Sequence, residues 1–303
     1  MYLQHASIQG ARVQRRNVQR TSVRRTVVVT LVLATGLASV VVAETKKEYR
    51  YPVGPNANVS VDTQYGAISV KPGSADEVVV TATIRSDSDK VEVDQHQSGN
   101  RIEVATHLLA GADRQTGQVD YELLIPPGAT LNLHSSTGPL SADGLHGDLT
   151  MEGTDAVMNV RDVENGYVHL RTMRGTVTLV DVSNGRIDIS SISGDIHLKS
   201  VTGPTVSASS GRGKIFYDGD FGSGGKYMFT THKGDIEALV PVNVSADFRA
   251  HSVLGRVHHD FPLKPMHSRF PVEEGRTFIG TTGGAASEVV LRSFSGKIRL
   301  KQR

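Results

Sequence analysis

The densest group of ligand-type side chains lies near the end of the chain: His251, His258, His259 and His267, with Asp247 and Asp260 close by. Three or four such groups converging on one point would make a zinc-type site. His258 and His259, however, are adjacent in a strand-like stretch, so they point to opposite faces. Ordinary loop or surface histidines account for them better. His169 and Asp188 occupy equivalent places in successive repeats and would form a His–Asp pair. Ser190, Ser191 and Ser193 supply hydroxyls, but no acidic and basic partners recur with them as a nucleophilic triad requires. Glu152 with Asp155, or Glu164 with Asp181, could provide the two carboxylates of a glycan-cleaving site.

Asp143, Asp162 and Asp181 recur in step with the same repeat and would stack as a column at successive corners. A column of like charges persists when solvated, bonded to turn N–H groups or bound to a cation such as calcium. Each corner carries one aspartate, as in Asp-Val-Ser-Asn-Gly at 181–185, and aspartate side chains readily accept backbone N–H bonds in turns. That is the simpler reading. The Gly-rich stretches 211–214 and 222–226 have the composition of phosphate loops, but Gly213 runs into a strand-like segment and not a helix. These readings assign no catalytic, cofactor-binding or metal-binding residue, and no cofactor is expected.

The elements that must position these groups are strands. The 303 residues include 31 Gly, no Cys and no Trp, with 8 Tyr and 8 Phe. A disulfide framework, a thiol nucleophile and Cys-ligated metals are thereby excluded. Residues 46–130 alternate apolar and polar residues in short runs such as Val59–Asp62, Val78–Ile84 and Arg101–Val104, bounded by Gly, Pro, Asn and Asp. That period of two predicts short strands.

From Leu131 to Tyr217 the pattern becomes regular. Glycines fall at 147, 166, 185 and 203, and again at 175, 194 and 213, spaced by 19 with one gap of 18. Each opens a short strand with apolar residues two and four positions on, such as Val168/Leu170 and Val177/Leu179. A repeat of this length, too small to bury its own apolar face, is stabilised by stacking. The expected fold is all-β: a β-solenoid with about 19 residues and two short strands per coil, stacked at about 4.8 Å. An antiparallel meander or β-sandwich is the competing geometry.

After Tyr217 the rhythm loosens. Strands resume at 226–229, 234–238, 242–248, 255–258, 287–291 and 296–300, with an excursion over 262–275. Ile125-Pro126 followed by Leu131–Ser135 and Gly138 is echoed by Val240-Pro241 followed by Val244–Phe248 and Gly255. The chain ends on a strand, which suits a closed stack. The organisation read from these changes is 1–43, 44–130, 131–217 and 218–303.

Residues 1–43 hold six Arg and no acidic residue, and removing them leaves 27 basic against 31 acidic side chains. The exported part therefore lacks the concentrated basic face that nucleic acid requires. Residues 26–43 form an apolar run without charge, ending Val41-Val42-Ala43. It reads either as a cleaved secretory signal or as a retained transmembrane helix anchoring the chain. Either way residues 44–303 are expected outside the cytoplasm, in the periplasm, at the cell surface or at the membrane. Arg24-Arg25 precedes Thr26–Val29, which lacks the character of a twin-arginine signal.

Several segments resemble the DUF4097 family of bacterial adhesin-like proteins. They are Gly-Pro-Leu-Ser-Ala-Asp-Gly-Leu-His-Gly at 138–147, Asn165-Gly166 with Val168 and Leu170, and Ser193-Gly194-Asp195-Ile196-His197-Leu198. Tyr65–Val70 with Pro72-Gly73, and Ser293-Phe294-Ser295-Gly296-Lys297-Ile298, extend the likeness over roughly residues 48–301. The resemblance implies a β-repeat protein of the cell envelope and brings no catalytic residues. The expected function is a non-catalytic binding or structural domain, whose partner would be an envelope polysaccharide or another envelope protein. The alternative is a polysaccharide hydrolase or lyase on a β-helix scaffold, for which the 16 aromatics without Trp offer few sugar-stacking platforms.

Overall fold

The computed structural model describes residues 44–85, 88–260, 264–265 and 275–303. Among these, the strands form one 12-stranded and one 13-stranded sheet. Through the middle of the molecule each coil gives one strand to each sheet, and alternate residues turn inward to a shared core. In one sheet Leu149, Val168, Ile187 and Val206 stand in register, as do Met151, Leu170, Ile189 and Ala208. In the other, Met158, Val177, Ile196 and Ile215 align, beside Val160, Leu179, Leu198 and Tyr217. All sixteen are buried, and every one of these pairings is parallel. The solenoid expected from the glycine spacing is the fold, and the meander is not. Like residues stack because a parallel sheet places equivalent side chains side by side, so a Val, Ile or Leu column fills a dry interior without voids.

The glycines are fixed by the neighbouring coil. A Cβ on Gly194 would lie 1.7 Å from the carbonyl oxygen of Gly175, and one on Gly213 would lie 1.9 Å from that of Gly194. Backbone meets backbone at this corner, with no room for a side chain. Where Ala156 replaces the glycine, Gly153 yields the space, since a Cβ on Gly153 would sit 2.4 Å from that of Ala156. At Gly203 the one-residue slip lies in the turn, because Val206 still aligns with Ile187.

Both ends depart from sequence order in the same way. The coil of strands Asn58–Tyr65 and Ile68–Pro72 lies between the coil containing Arg101–Leu108 and Val119–Ile125 and the coil containing Thr130–Thr137 and Leu140–Leu145. At the other end, the last coil, Ser287–Ser293 and Ile298–Gln302, lies between Lys226–Thr231/Ile236–Val240 and Ala246–Ser252/Val257–His259. Each time the chain skips a slot immediately after an Ile-Pro or Val-Pro pair, at Ile125-Pro126 and Val240-Pro241. The echo in the sequence is thus the mark of a crossover. Proline suits it, because it ends the strand's hydrogen-bond ladder and fixes the direction of exit.

Antiparallel strands cover the N-terminal end of both sheets and the C-terminal end of the 13-stranded sheet. Thr45–Pro52 and Glu77–Ile84 pair antiparallel, as do Val91–Ser98 and Arg101–Leu108. At the other end Thr277–Thr282 pairs antiparallel with Ala246–Ser252. These caps occupy edges that would otherwise offer unpaired N–H and C=O groups. The chain's final strand does not close the stack, as its place in the sequence suggested; it is enclosed within it.

Two expectations change. Among the described residues no helix is long and apolar enough to cross a membrane, and the one helical element is the single turn Ser88–Lys90. The transmembrane helix is therefore withdrawn; residues 26–43, from which it was read, lie outside the described residues, as does most of the 262–275 excursion. The aspartate column is also re-registered. The step from Leu140 to its partner Met158 is one position shorter than the step from Met158 to Val177, so Asp143 faces Arg161. Gly144, Asp162, Asp181 and Ser200 fill the column instead, with φ of 68°, 48°, 55° and 53°. This is left-handed backbone, which Gly adopts freely and Asp tolerates better than most residues. Backbone conformation explains the recurring aspartates.

Candidate functional site

The corner that precedes each glycine of the second series carries the most constant chemistry in the molecule. Three residues before the glycine stands a buried hydroxyl: Thr172, Ser191, Ser210, Thr231, Ser293 and Ser252. Ser210 Oγ accepts a bond from the Gly213 N–H at 2.8 Å and donates to the Gly194 carbonyl at 3.1 Å. Thr231, Ser293 and Ser252 repeat the pattern with Gly234, Gly296 and Gly255. Each hydroxyl thereby ties its own turn to the coil beside it, satisfying two buried backbone groups at once. The sequence spells this strut as a periodic Ser/Thr-x-x-Gly, a signal that a triad reading of Ser190, Ser191 and Ser193 does not contain. Ser191 belongs to this scaffold, and Ser193 Oγ donates to the Met173 carbonyl at 3.1 Å.

Between hydroxyl and glycine, two residues per coil are pushed into solvent. The first row reads Met173, Ile192, Gly211, His232, Phe294 and Val253, held in step by backbone bonds such as His232 N–H to Ser210 O and Phe294 N–H to Thr231 O. Ile192 is 55% exposed and Phe294 43%. His232 and Phe294 stack face to face, with ring centroids 4.7 Å apart and planes 7° from parallel. Because Gly211 has no side chain, the row is notched there. An open hollow of about 460 Å³ lies alongside, lined by Ser209, Gly211, Thr230, His232, His251 and Phe294 among others.

The groups singled out by residue type are dispersed. His251 Nδ1 is 2.8 Å from Thr277 Oγ1 on one sheet. His258 and His259 lie on the other sheet, His258 exposed beside Arg299 and His259 against Phe278 at 4.3 Å. His267 lies outside the described residues. Asp260 accepts the Gln302 N–H, and Asp247 pairs with Arg249. Among the described residues no three His, Asp or Glu side chains are placed to hold a metal. His169 and Asp188 do meet one coil apart, Nδ1 to Oδ2 at 3.6 Å on the surface.

Asp155 is held by the guanidinium of Arg174. Glu152 lies in the column between His134 and Arg171. Glu164 and Asp181 share an open hollow with Asp162 and Ser200. The glycines at 211–213 and 222–225 serve the corners: Gly213 is part of the hydroxyl ladder, and the Gly222 N–H donates to Tyr227 Oη at 2.8 Å.

The phenols most perturbed by their surroundings are in the core. Burial pushes the ionisation of Tyr121 and Tyr217 far above the ordinary range. Tyr217 Oη donates to the Val201 carbonyl at 2.9 Å, and Tyr121 Oη shares a bond with Thr106. Both phenols are fully buried in the core.

Residues 56–301 match the family profile described as Toastrack DUF4097. The chain belongs to the DUF4097 family. The DUF4097 chain is also similar to three crystal structures. One is a candidate cell adhesion protein from Clostridium sporogenes, with 14% identity, TM-score 0.29, and coverage of 86% of this chain and 100% of that one. A second is a candidate adhesin from Bacteroides fragilis, with 13% identity, TM-score 0.42, and coverage of 86% and 98%. The third is a candidate adhesin from Parabacteroides distasonis, with 12% identity, TM-score 0.36, and coverage of 86% and 97%. No curated protein matches the DUF4097 chain.

Proposed function

We propose that the chain is a non-catalytic, adhesin-like protein of the cell envelope, exported so that residues 44–303 act outside the cytoplasm. The observation that carries this reading is the corner row: a rigid stack that holds identical positions of successive coils at a fixed spacing, facing solvent. Such a surface suits recognition of something extended better than chemistry on a small substrate, which needs converging groups in a concave site. Membership of DUF4097 and the adhesin descriptions of the similar crystal structures support it. The Arg-rich, acid-free start followed by an apolar run supports export.

Carbohydrate cleavage is the weaker reading. Asp155 is neutralised by Arg174, and Glu164 lies on an open surface. The test compares cells expressing the full-length chain with cells lacking it, by fractionation and by retention on polysaccharide-coated and protein-coated surfaces. Envelope location with greater retention is expected. A chain that stays in the cytoplasm, or cells retained equally with and without it, would contradict the proposal.

A further inference from the structure

The cations of this molecule fall into two groups. Some are matched to carboxylates. Arg299 faces Asp235 and Glu237, Lys301 bonds Glu237 at 2.8 Å, and Arg303 bridges Asp218 and Asp220. Arg249, Arg174, Arg85 and Arg50 are likewise paired. Others are not, and three of these lie at and beside the corner row. Arg212, Lys233 and Arg292 are exposed and have no ion pair among the described residues.

Parallel register explains why they gather. Arg212 and Lys233 occupy the same corner position on successive coils, linked by the Lys233 N–H to Gly211 O bond and the Arg212 N–H to Ile192 O bond. On the adjoining sheet face, Ser190, Ser209, Thr230, Arg292 and His251 form one continuous column of five coils. No carboxylate interrupts it; the nearest in that column is Glu152, beyond Arg171. The notch at Gly211 opens beside this column, where Arg292 lines the hollow, and Arg212 and Lys233 directly follow the lining residues Gly211 and His232 in the chain. Arg292 and Phe294 reach it only because the last coil is inserted between two earlier ones.

We infer that this corner is a binding groove for a linear acidic polysaccharide, its carboxylates meeting Arg212, Lys233 and Arg292, and its hydroxyls meeting Ser209 and Thr230. The inference rests on the adhesin-like reading and names its ligand class. Unpaired cations beside an acid-free column give charge complementarity to a polyanion. The hydroxyl column supplies donors and acceptors that neutral sugar hydroxyls can match. The exposed His232–Phe294 ring pair offers an apolar plane to the faces of sugar rings. A coil rise of about 4.8 Å sets cations at intervals that a repeating chain can follow.

The full-length chain is titrated with polygalacturonate, with neutral dextran and with single-stranded DNA at fixed ionic strength. Polygalacturonate is expected to bind best, with affinity falling as salt rises. R212A/K233A/R292A should lose about tenfold or more in affinity, as expected for three unshared cations on a polyanion. K46A/K47A/K71A removes the same charge from exposed lysines at the far end and should change affinity less than about twofold. Thermal melts of both variants check folding. No preference for polygalacturonate over dextran would overturn the proposal, as would equal losses in the two triple variants. DNA binding as tightly as polygalacturonate would overturn the commitment to a polysaccharide. The same groove variant is scored for cell retention. Retention unchanged by R212A/K233A/R292A would sink the groove and leave adhesion standing. Polygalacturonate binding without any retention by wild-type cells would sink adhesion and leave the groove.

Discussion

The middle coils and the two ends are built from the same strand pair but solve different problems. Between Leu149 and Tyr217 the chain winds in sequence order, each coil resting on the last, and the core is a set of aliphatic columns. At each end one coil is slotted between two others out of order, and antiparallel strands are added outside it, in both sheets at the N-terminal end and in one at the C-terminal end. The core changes with the topology. Buried tyrosines and phenylalanines cluster towards the C-terminal end, where Tyr217, Phe221, Tyr227 and Phe229 pack together at centroid distances of 4.7 to 5.9 Å. Repetition lets a chain grow by identical local contacts, whereas closing a repeat needs contacts between residues far apart in sequence. The inserted coils supply those contacts, and the unpaired cationic corner is a by-product of one of them.

The largest effects should come from charge placed in the columns. Ile196→Asp or Val177→Asp buries an unpaired carboxylate at a position with no solvent exposure, and should abolish cooperative thermal unfolding, a loss above about 5 kcal/mol. Melts like the wild type would refute the register. Next, Gly213→Ala forces a Cβ against the Gly194 carbonyl, and Gly296→Ala forces one to 1.8 Å from the Gly234 carbonyl. Each should cost about 3 kcal/mol by overpacking. A much milder Gly296 variant would show that the inserted coil packs more loosely than the regular ones.

Ser210→Ala and Ser293→Ala each strand a buried N–H and a carbonyl, for about 1–3 kcal/mol in denaturant titrations. Alkaline titration separates the regions by another route. The phenols of Tyr121 and Tyr217 ionise far above their ordinary value in the folded chain. Their contribution to stability is therefore full below about pH 10 and is lost as pH rises beyond it. Amide exchange above that pH should rise first at the ends and last around Val177–Leu198. Uniform loss of protection would argue against the distinction. The smallest effect belongs to His197→Ala, an exposed side chain expected to shift stability by less than about 0.5 kcal/mol. A loss near that of the glycine variants would mean that inner and outer faces are interchanged.

The regular coils were legible because one physical constraint, backbone contact at the corner, recurs as a glycine in coil after coil and carries the strand register with it. Gly144 and Asp143 show the limit: one shortened step moves a column by one position without altering any motif. The coil swaps were written only as two Xaa-Pro echoes, and local patterning does not record which non-neighbouring strands pair. The hydroxyl ladder was spelled in full as Ser/Thr-x-x-Gly, but a serine sought as a nucleophile is not read as a buried strut. The cationic corner was hidden for a different reason. Lys233 and Arg292 are distant in sequence, and only the inserted coil makes them neighbours.

Coil insertion is therefore the feature on which both the fold of the C-terminal end and the proposed groove depend. The chain has no cysteine, so an engineered pair reports a single contact. Met228 and Val290 are direct partners on adjacent parallel strands, with Arg249 one strand further on. Adjacent strands stand about 4.8 Å apart, within disulfide reach, while strands two apart are not. Oxidation of Met228→Cys/Val290→Cys should give a disulfide within one chain, and Met228→Cys/Arg249→Cys should remain reduced. The opposite outcome, a bond between positions 228 and 249 and none between 228 and 290, would mean that the coils stack in sequence order and that the inserted coil does not exist.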